Sequence, residues 1–173
     1  MSFGHRISQV VSMEVRINER AQRAIQENVF PACVIGVVKG NGERIVLPFG
    51  EVRGDSIFDI ASVTKAIPTA LTALYLIERG KFETDTPVIE FLPELHNASR
   101  EELRVRHLLT HTVGYGEELR LSSLRDRTPE EILRAVFFAP LRYVPGEYFS
   151  YTNAASILLG LLVERASKET LES

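Results

Sequence analysis

Ser62 and Lys65 are the two residues of this 173-residue chain that most directly indicate a reaction. They lie at the predicted start of a helix, where residues three apart share one face. Because helical side chains lean toward the N-terminus, the Lys65 amine can reach the Ser62 hydroxyl, and such a pair can activate a serine without a histidine. The positive potential of a helix N-terminus favours a developing oxyanion and disfavours an ammonium, so it favours the neutral amine that a general base needs.

An S-x-x-K pattern by itself has a simpler interpretation, a helix N-cap serine followed by a solvated lysine. A second element favours chemistry. Tyr151 and Asn153 follow a Pro-Gly turn and precede an apolar run at residues 154–163. In an extended loop, side chains two residues apart point to the same side. The Tyr151 phenol can carry a proton beside a cation, and the Asn153 amide can hold both Lys65 and a substrate carbonyl. Taken alone, a Y-x-N pattern indicates only a half-buried loop tyrosine.

Together and in this order, the two elements resemble the serine β-lactamase and penicillin-binding-protein superfamily, in its branch of class C β-lactamases, D-alanyl-D-alanine carboxypeptidases and family VIII esterases. FDIASVTK at residues 58–65 is similar to the nucleophile segment of that family, and PGEYFSYTNA at residues 145–154 is similar to its second active-site element. Residues 80–95 and RHLLTHTVG at residues 106–114 are similar to two further family segments, with valine where the family often has serine. The resemblance runs from about residue 31 to residue 164.

The resemblance implies acyl transfer by an α+β fold of the β-lactamase/transpeptidase type. Ser62 would attack a carbonyl, Lys65 and Tyr151 would move the proton, and Asn153 would position Lys65 and the substrate. The Ser62 backbone N–H would supply half of an oxyanion hole, and water would release the acyl-enzyme. The partner would be a small-molecule or peptide acyl substrate, namely a β-lactam, a D-Ala-D-Ala-like peptide or a small ester, and no cofactor or metal is needed.

The third element of the family is a Lys-Thr-Gly or His-x-Gly triad on a late β-strand, and nothing after Asn153 supplies it. The expectation is therefore that residues 1–173 form the N-terminal part of a single β-lactamase-related domain, with the late strands missing. A competing hypothesis is a non-catalytic or truncated homologue with a binding or assembly role, or with no activity. We expect the isolated chain to lack turnover and to associate with itself through an open hairpin edge.

Apolar residues at helical spacing predict an amphipathic helix over residues 8–28. A β-rich run interrupted by Asn-Gly predicts a hairpin over residues 32–49. A mostly helical region over residues 62–166 is predicted to carry the active-site motifs.

Three features define helices within that region. The first helix is predicted from Ser62 to Arg79, with Gly80 as its end and Pro68 as a local disturbance. A capping box at Thr128 predicts a helix to about residue 138. A last helix is predicted from residue 154 to residue 166 or beyond.

Composition excludes several functions. The net charge of −3 gives no electrostatic case for nucleic acid or an anionic membrane. The N-terminus shows no signal peptide and no stretch is long enough to span a bilayer, which predicts a cytoplasmic protein, or an extracytoplasmic one if the N-terminus was trimmed. The single cysteine, Cys33, excludes an intrachain disulfide and is predicted to be a small core residue.

Two other groups attract functional interpretations that we set aside. His107 and His111 are four residues apart and could face one metal ion, but no third ligand is evident, so packing and backbone hydrogen bonds are expected for them. Arg100, Arg104 and Arg106 alternate with acidic residues, a pattern typical of a solvated face.

Overall fold

The computed structural model describes residues 12–96, 100–116, 119 and 125–171. The chain folds as two compact units, Met1–Asp59 and Ile60–Ser173. All four predicted site residues belong to the second unit.

The first helix, α1, spans Met13–Gln26 and begins after the N-cap Ser12, whose Oγ accepts a hydrogen bond from the Val15 backbone N–H at 3.3 Å. Serine is a favoured N-cap because this contact satisfies a backbone donor that a helix start leaves open. The sequence predicts this helix over residues 8–28. Its first part lies outside the described residues, and the structure ends the helix at Gln26.

The strands β1, Cys33–Val38, and β2, Arg44–Phe49, form an antiparallel hairpin. The register pairs the first residue of β1 with the last residue of β2. Gly42 in the connecting turn has a φ of 85°, the left-handed conformation that an Asn-Gly turn requires. The hairpin predicted over residues 32–49 is therefore present.

Burial in this first unit is limited. Ala21 and Phe49 are the buried apolar side chains of its described residues, whereas Val38 and Val46 are 70% and 56% exposed. Cys33, predicted to be a core residue, is only half-buried. The expected self-association through the hairpin edge stays a prediction.

The next helix, α2, has a π-helical first part, Lys65–Ala70, and an α-helical second part, Leu71–Glu78. Pro68 lies inside the first part. Because proline has no N–H, the Thr64 carbonyl four residues earlier loses its usual donor. The Thr69 hydroxyl donates to that carbonyl at 3.2 Å. The local disturbance expected at Pro68 is therefore present as a wider, π-helical turn.

Gly80 ends α2 as predicted. It has a φ of 66°, and its N–H donates to the Ile77 carbonyl at 2.9 Å. The Lys81 N–H donates to the Leu76 carbonyl at 3.0 Å. These two bonds satisfy carbonyls that the helix end leaves open.

Three more α-helices follow in the described residues: α3, Val105–Leu109; α4, Pro129–Phe138; and α5, Asn153–Ser167. Short 3₁₀ turns occupy Val88–Glu90 and Pro93–Leu95. With the hairpin, these helices give the α+β architecture that the sequence predicts. No helix in the described part of the chain is long and apolar enough to cross a membrane.

The capping box predicted at the start of α4 is present. Thr128 Oγ1 accepts a hydrogen bond from the Glu131 N–H at 3.2 Å, and Glu131 Oε2 accepts one from the Thr128 N–H at 2.9 Å. Two backbone donors are thus satisfied by local side chains, which explains why this boundary could be predicted.

The core of the second unit surrounds α5. Buried side chains from four helices meet in it, among them Leu76, Leu108, Val136, Leu158 and Leu162. Full burial of each such side chain is worth about 1.5–3 kcal/mol. This packing fixes the N-terminus of α5, and therefore the position of the segment that precedes it.

Arg100 corrects the prediction of a solvated face. It is 2% exposed, and its guanidinium donates to the carbonyls of Val136, Phe137 and Ala139 at the end of α4. The Arg100 Cζ also lies 5.4 Å from the centroid of the Tyr115 ring. The Tyr115 hydroxyl donates to the Val136 carbonyl. The arginine is buried because it satisfies carbonyls of a helix end. This contact is made by residues far apart in sequence, so charge alternation could not predict it.

Candidate active site

The nucleophile turn, residues 60–65, places Ser62 at the start of α2. Ala61 has a φ of 45°, which is unfavourable for a residue with a Cβ and costs about 1–2 kcal/mol. Three i+3 backbone bonds close the turn: Val63 N–H donates to the Ile60 carbonyl at 3.0 Å, and Thr64 N–H and Lys65 N–H donate to the Ala61 and Ser62 carbonyls at 3.1 Å. The strained residue immediately before Ser62 therefore directs the chain into the helix, leaving the serine exposed.

Lys65 donates a hydrogen bond from Nζ to Ser62 Oγ at 2.9 Å. This is the contact that the three-residue spacing predicts. Lys65 is half-buried and Ser62 is exposed, so the amine is held against the hydroxyl while the hydroxyl stays accessible. The Ser62 backbone N–H has no acceptor among the described residues, which leaves it available to an oxyanion at the helix start.

Tyr151 completes a cluster with this pair. Its ring centroid lies 5.4 Å from Lys65 Nζ, and its side chain is 50% exposed. A hydrogen bond with Ser62 lowers the pKa of Tyr151 from its ordinary value of 10.0, and the nearby charge and hydrogen bond of Lys65 act in the same direction, while burial opposes the shift. The phenol therefore loses its proton at a lower pH than an ordinary tyrosine.

Asn153 is the first residue of α5 and is half-buried. The sequence placed it with Tyr151 in a loop before the helix, whereas the helix begins one residue after the N-cap Thr152. No hydrogen bond joins the Asn153 amide to Lys65 in the described residues. Its role as a holder of Lys65 and substrate stays a prediction.

The histidine turn, residues 107–114, ends α3 beside this cluster. His111 has a φ of 55° and occupies the position after the C-cap, where glycine is usual. The Thr112 N–H donates to the His107 carbonyl at 2.9 Å and the His111 N–H to the Leu108 carbonyl at 3.5 Å. A histidine in this conformation costs about 1 kcal/mol or more relative to glycine.

The side chain of His111 contacts the catalytic candidates. Its ring centroid lies 4.8 Å from that of Tyr151 and 6.3 Å from that of Phe149. Its Nδ1 is buried and has no hydrogen-bond partner among the described residues. Burial, and then the charge of Lys65, lowers the pKa of His111 from 6.5. Backbone hydrogen bonds were expected for both histidines. His107 makes one, since its Nδ1 accepts from the Arg104 N–H at 3.2 Å, whereas the described residues offer none to His111 Nδ1.

Backbone pairing joins the histidine turn to the segment that ends at Tyr151. The Ser150 N–H donates to the His111 carbonyl at 2.9 Å, and the Gly146 N–H donates to the Thr112 carbonyl at 2.8 Å. Gly114 has a φ of 96°, and a Cβ there would lie 2.2 Å from the backbone oxygen of Tyr143. The bond from Ser150 fixes the backbone next to Tyr151 relative to His111, and the close approach at Gly114 brings the same two segments together.

The cluster brings together the kinds of group that nucleophilic chemistry uses. It contains a hydroxyl, an amine that accepts or donates a proton, and a phenol with a lowered pKa. Among the described residues, no group of three His, Cys, Asp or Glu side chains is placed to hold a metal ion.

Comparisons with known proteins show the family to which the chain belongs. The sequence model of the Beta-lactamase family matches residues 17–173. The chain therefore belongs to the beta-lactamase family, which is part of a superfamily of serine hydrolases.

Three similar proteins illustrate the range of that family. Esterase EstB of Burkholderia gladioli is 38% identical over 138 residues, which are 69% of this chain and 35% of that protein. The D-alanine carboxypeptidase AmpC from Burkholderia cenocepacia has a TM-score of 0.72 and 26% identity, over 90% of this chain and 43% of that chain. The octameric penicillin-binding protein homologue from Pyrococcus abyssi has a TM-score of 0.77 and 25% identity, over 93% of this chain and 41% of that chain. The chain spans about a third of the length of the curated relatives it matches.

Proposed function

We propose that this chain carries the nucleophilic half of a serine hydrolase site that cleaves a carboxylic ester through an acyl-enzyme on Ser62. The observation that carries the proposal is the hydrogen bond from Lys65 Nζ to Ser62 Oγ at 2.9 Å. The contact places the amine within proton-transfer distance of the hydroxyl, and a neutral amine can reverse the bond and accept the Ser62 proton, which is what an activated serine requires.

The reaction balances with the groups present. Ser62 Oγ attacks the ester carbonyl carbon, and its proton passes to a neutral Lys65 amine or to the Tyr151 phenolate. The tetrahedral intermediate collapses, the C–O bond to the alcohol breaks, and the same groups return the proton to the leaving oxygen. Water then attacks the acyl-enzyme by the same route, and the carboxylic acid leaves.

Two further features support this assignment. The Ser62 backbone N–H lies at the start of α2 without an acceptor in the described residues, so it is placed to stabilise the oxyanion of the intermediate. The lowered pKa of Tyr151 gives the site a phenol that transfers protons nearer to neutral pH.

The substrate class is proposed from the similarity to Esterase EstB, at 38% identity. An ester is also less demanding than an unstrained peptide amide, because an alkoxide leaves more readily than the anion of an amine. A β-lactam and a D-Ala-D-Ala-like peptide use the same Ser62 chemistry and are the alternatives that the test separates.

The test measures kcat/KM for p-nitrophenyl butyrate, nitrocefin and a D-Ala-D-Ala peptide, using the longest protein that contains this chain. We expect the ester to be cleaved with the highest kcat/KM, Ser62→Ala to abolish cleavage, and Ser156→Ala, a serine inside α5, to retain it. Cleavage of nitrocefin or peptide in preference would overturn the substrate class. Equal ester hydrolysis by Ser62→Ala, or no Ser62-dependent turnover of any of the three, would overturn the proposed function in favour of a non-catalytic homologue.

A further inference from the structure

His111 combines two unfavourable features at one position. Its backbone adopts the left-handed conformation at the end of α3, with a φ of 55°, where glycine would be unstrained. Its Nδ1 is buried, and no described residue forms a hydrogen bond with it. A glycine at this position would relieve both, so packing of the turn does not explain the histidine, and strain of this kind concentrates at functional sites.

The ring of His111 is near two aromatic side chains of the segment before α5. The Tyr151 ring is tilted by 44° at a centroid distance of 4.8 Å, and the Phe149 ring is nearly perpendicular at 6.3 Å. Aromatic pairs at such separations are attractive beyond their buried area. The contact with Tyr151 is therefore a specific one, on the ring whose hydroxyl interacts with Ser62 and Lys65.

We propose that His111 is a positioning residue for Tyr151: its ring packs against the phenol ring and holds the phenol oxygen toward Ser62 and Lys65. The inference rests on the proposed function of Ser62 as nucleophile. Tyr151 is half-exposed, so few other contacts restrict its rotamer. The backbone bond from Ser150 N–H to the His111 carbonyl at 2.9 Å fixes the two residues in register, and the ring contact fixes the side chain.

A neutral ring suits this role. Burial and the charge of Lys65 both disfavour an imidazolium at His111, so the ring packs without placing a cation of its own beside the Lys65 amine. The titratable groups that face it are Lys65, from α2, and Tyr151, from the segment before α5.

The test compares three substitutions that separate the ring from the backbone turn. His111→Phe keeps a ring, whereas His111→Asn and His111→Gly remove the ring and suit the left-handed conformation better. The first readout is the second-order rate constant for modification of Ser62 by a fluorophosphonate, measured by intact mass from pH 6 to pH 11. The second is the midpoint of Tyr151 ionisation, obtained from the ultraviolet titration of the chain minus that of Tyr151→Phe.

We expect His111→Phe to stay within about threefold of the wild-type rate, and His111→Asn and His111→Gly to lose about 10- to 100-fold, part of the effect that a proton-transfer group supplies. In the ringless variants the Tyr151 midpoint should move to higher pH, because the phenol no longer stays near Ser62 and Lys65. Urea unfolding should show the Asn and Gly variants at least as stable as the wild type, so lost folding cannot explain the lost rate.

The inference is overturned if the ringless variants keep both the rate and the Tyr151 midpoint, or if His111→Phe falls as far as they do. Failure of the proposed function looks different: wild-type Ser62 would not be modified, while the ionisation of Tyr151 would still report whether the ring holds the phenol.

Discussion

The two turns that carry the site hold their residues in different ways. The nucleophile turn, residues 60–65, is exposed, and its geometry comes from bonds between near neighbours, with Lys65 reaching Ser62 across one turn of helix. The histidine turn, residues 107–114, is largely buried and is held by backbone pairing with a segment far along the chain. Both contain a residue other than glycine in the left-handed region, Ala61 and His111.

The nucleophile turn therefore supplies reacting groups, whereas the histidine turn determines how another group is placed relative to them. The first turn supplies the hydroxyl and the amine, whose contact needs only a helix start. The second turn determines where Tyr151 lies relative to that pair, and this depends on the packing of the second unit. Substitutions in the first turn should therefore act on rate, and substitutions in the scaffold of the second should act on stability as well.

The largest effect is expected for Lys65→Arg. A guanidinium remains protonated, so it cannot accept the Ser62 proton, and the rate of Ser62 modification by a fluorophosphonate should fall by about 10²–10⁴-fold. Intact-mass kinetics measures this rate. Lys81→Arg, at an exposed lysine after α2, is the matched control and should react like the wild type. A Lys65→Arg chain that keeps most of its rate would remove Lys65 from proton transfer.

Tyr151→Phe should lower the same rate by about 10²-fold and remove the contribution of the phenolate at high pH. Because a hydrogen bond with Ser62 and the charge of Lys65 lower the pKa of Tyr151, the wild-type rate should rise with pH and level off below pH 10.0, the ordinary pKa of tyrosine. The pH profile of Ser62 modification measures this. Tyr148→Phe, an exposed tyrosine stacked on Tyr143, is the control and should leave the profile unchanged. If the rate of Ser62 modification rises with pH in the same way in Tyr151→Phe, a group other than Tyr151 causes the rise.

Gly114→Ala tests the scaffold of the histidine turn. Its new Cβ would lie 2.2 Å from the Tyr143 backbone oxygen at a φ of 96°, so the turn must open. The free energy of unfolding in urea should fall by about 2–3 kcal/mol, and the Ser62 rate should fall with it. Gly36→Ala in β1 is the control, since a Cβ there meets nothing within 4 Å. Equal stability of the two variants would show that the close approach is not a constraint.

Ala61→Gly is expected to have the smallest effect. Glycine relieves the left-handed strain at a φ of 45° and loses more entropy on folding, so the free energy of unfolding should rise by about 0.5 kcal/mol. Ala70→Gly, at a helical φ of −70°, should instead lose about 1 kcal/mol. Urea titration of both variants measures the difference. If the free energy of unfolding falls as much in Ala61→Gly as in Ala70→Gly, the left-handed conformation of Ala61 does not destabilise the fold.

The sequence predicted the features that depend on contacts between residues close together in the chain. The contact between Ser62 and Lys65, the capping box at Thr128 and the end of α2 at Gly80 depend on residues within four positions of one another, and all are present in the structure. The resemblance to a known family placed Tyr151 with them, which spacing alone could not do.

The features that the sequence did not reveal depend on tertiary contacts. The burial of Arg100 follows from its hydrogen bonds to the end of α4, and the contact of His111 with Tyr151 follows from the pairing of two distant segments. In each case the local pattern fits several environments, and packing selects one. By contrast, the start of α5 is local, and the helix predicted from residue 154 begins one residue earlier, at Asn153.

The central claim, that Ser62 is the nucleophile, is tested most directly by treating the chain with a fluorophosphonate and locating the adduct by intact mass and peptide mapping. Ser62 Oγ displaces fluoride from phosphorus, so one adduct should form, on the peptide that contains Ser62, and Ser62→Ala should remain unmodified. An adduct on another residue, or equal modification of Ser62→Ala, would contradict the account.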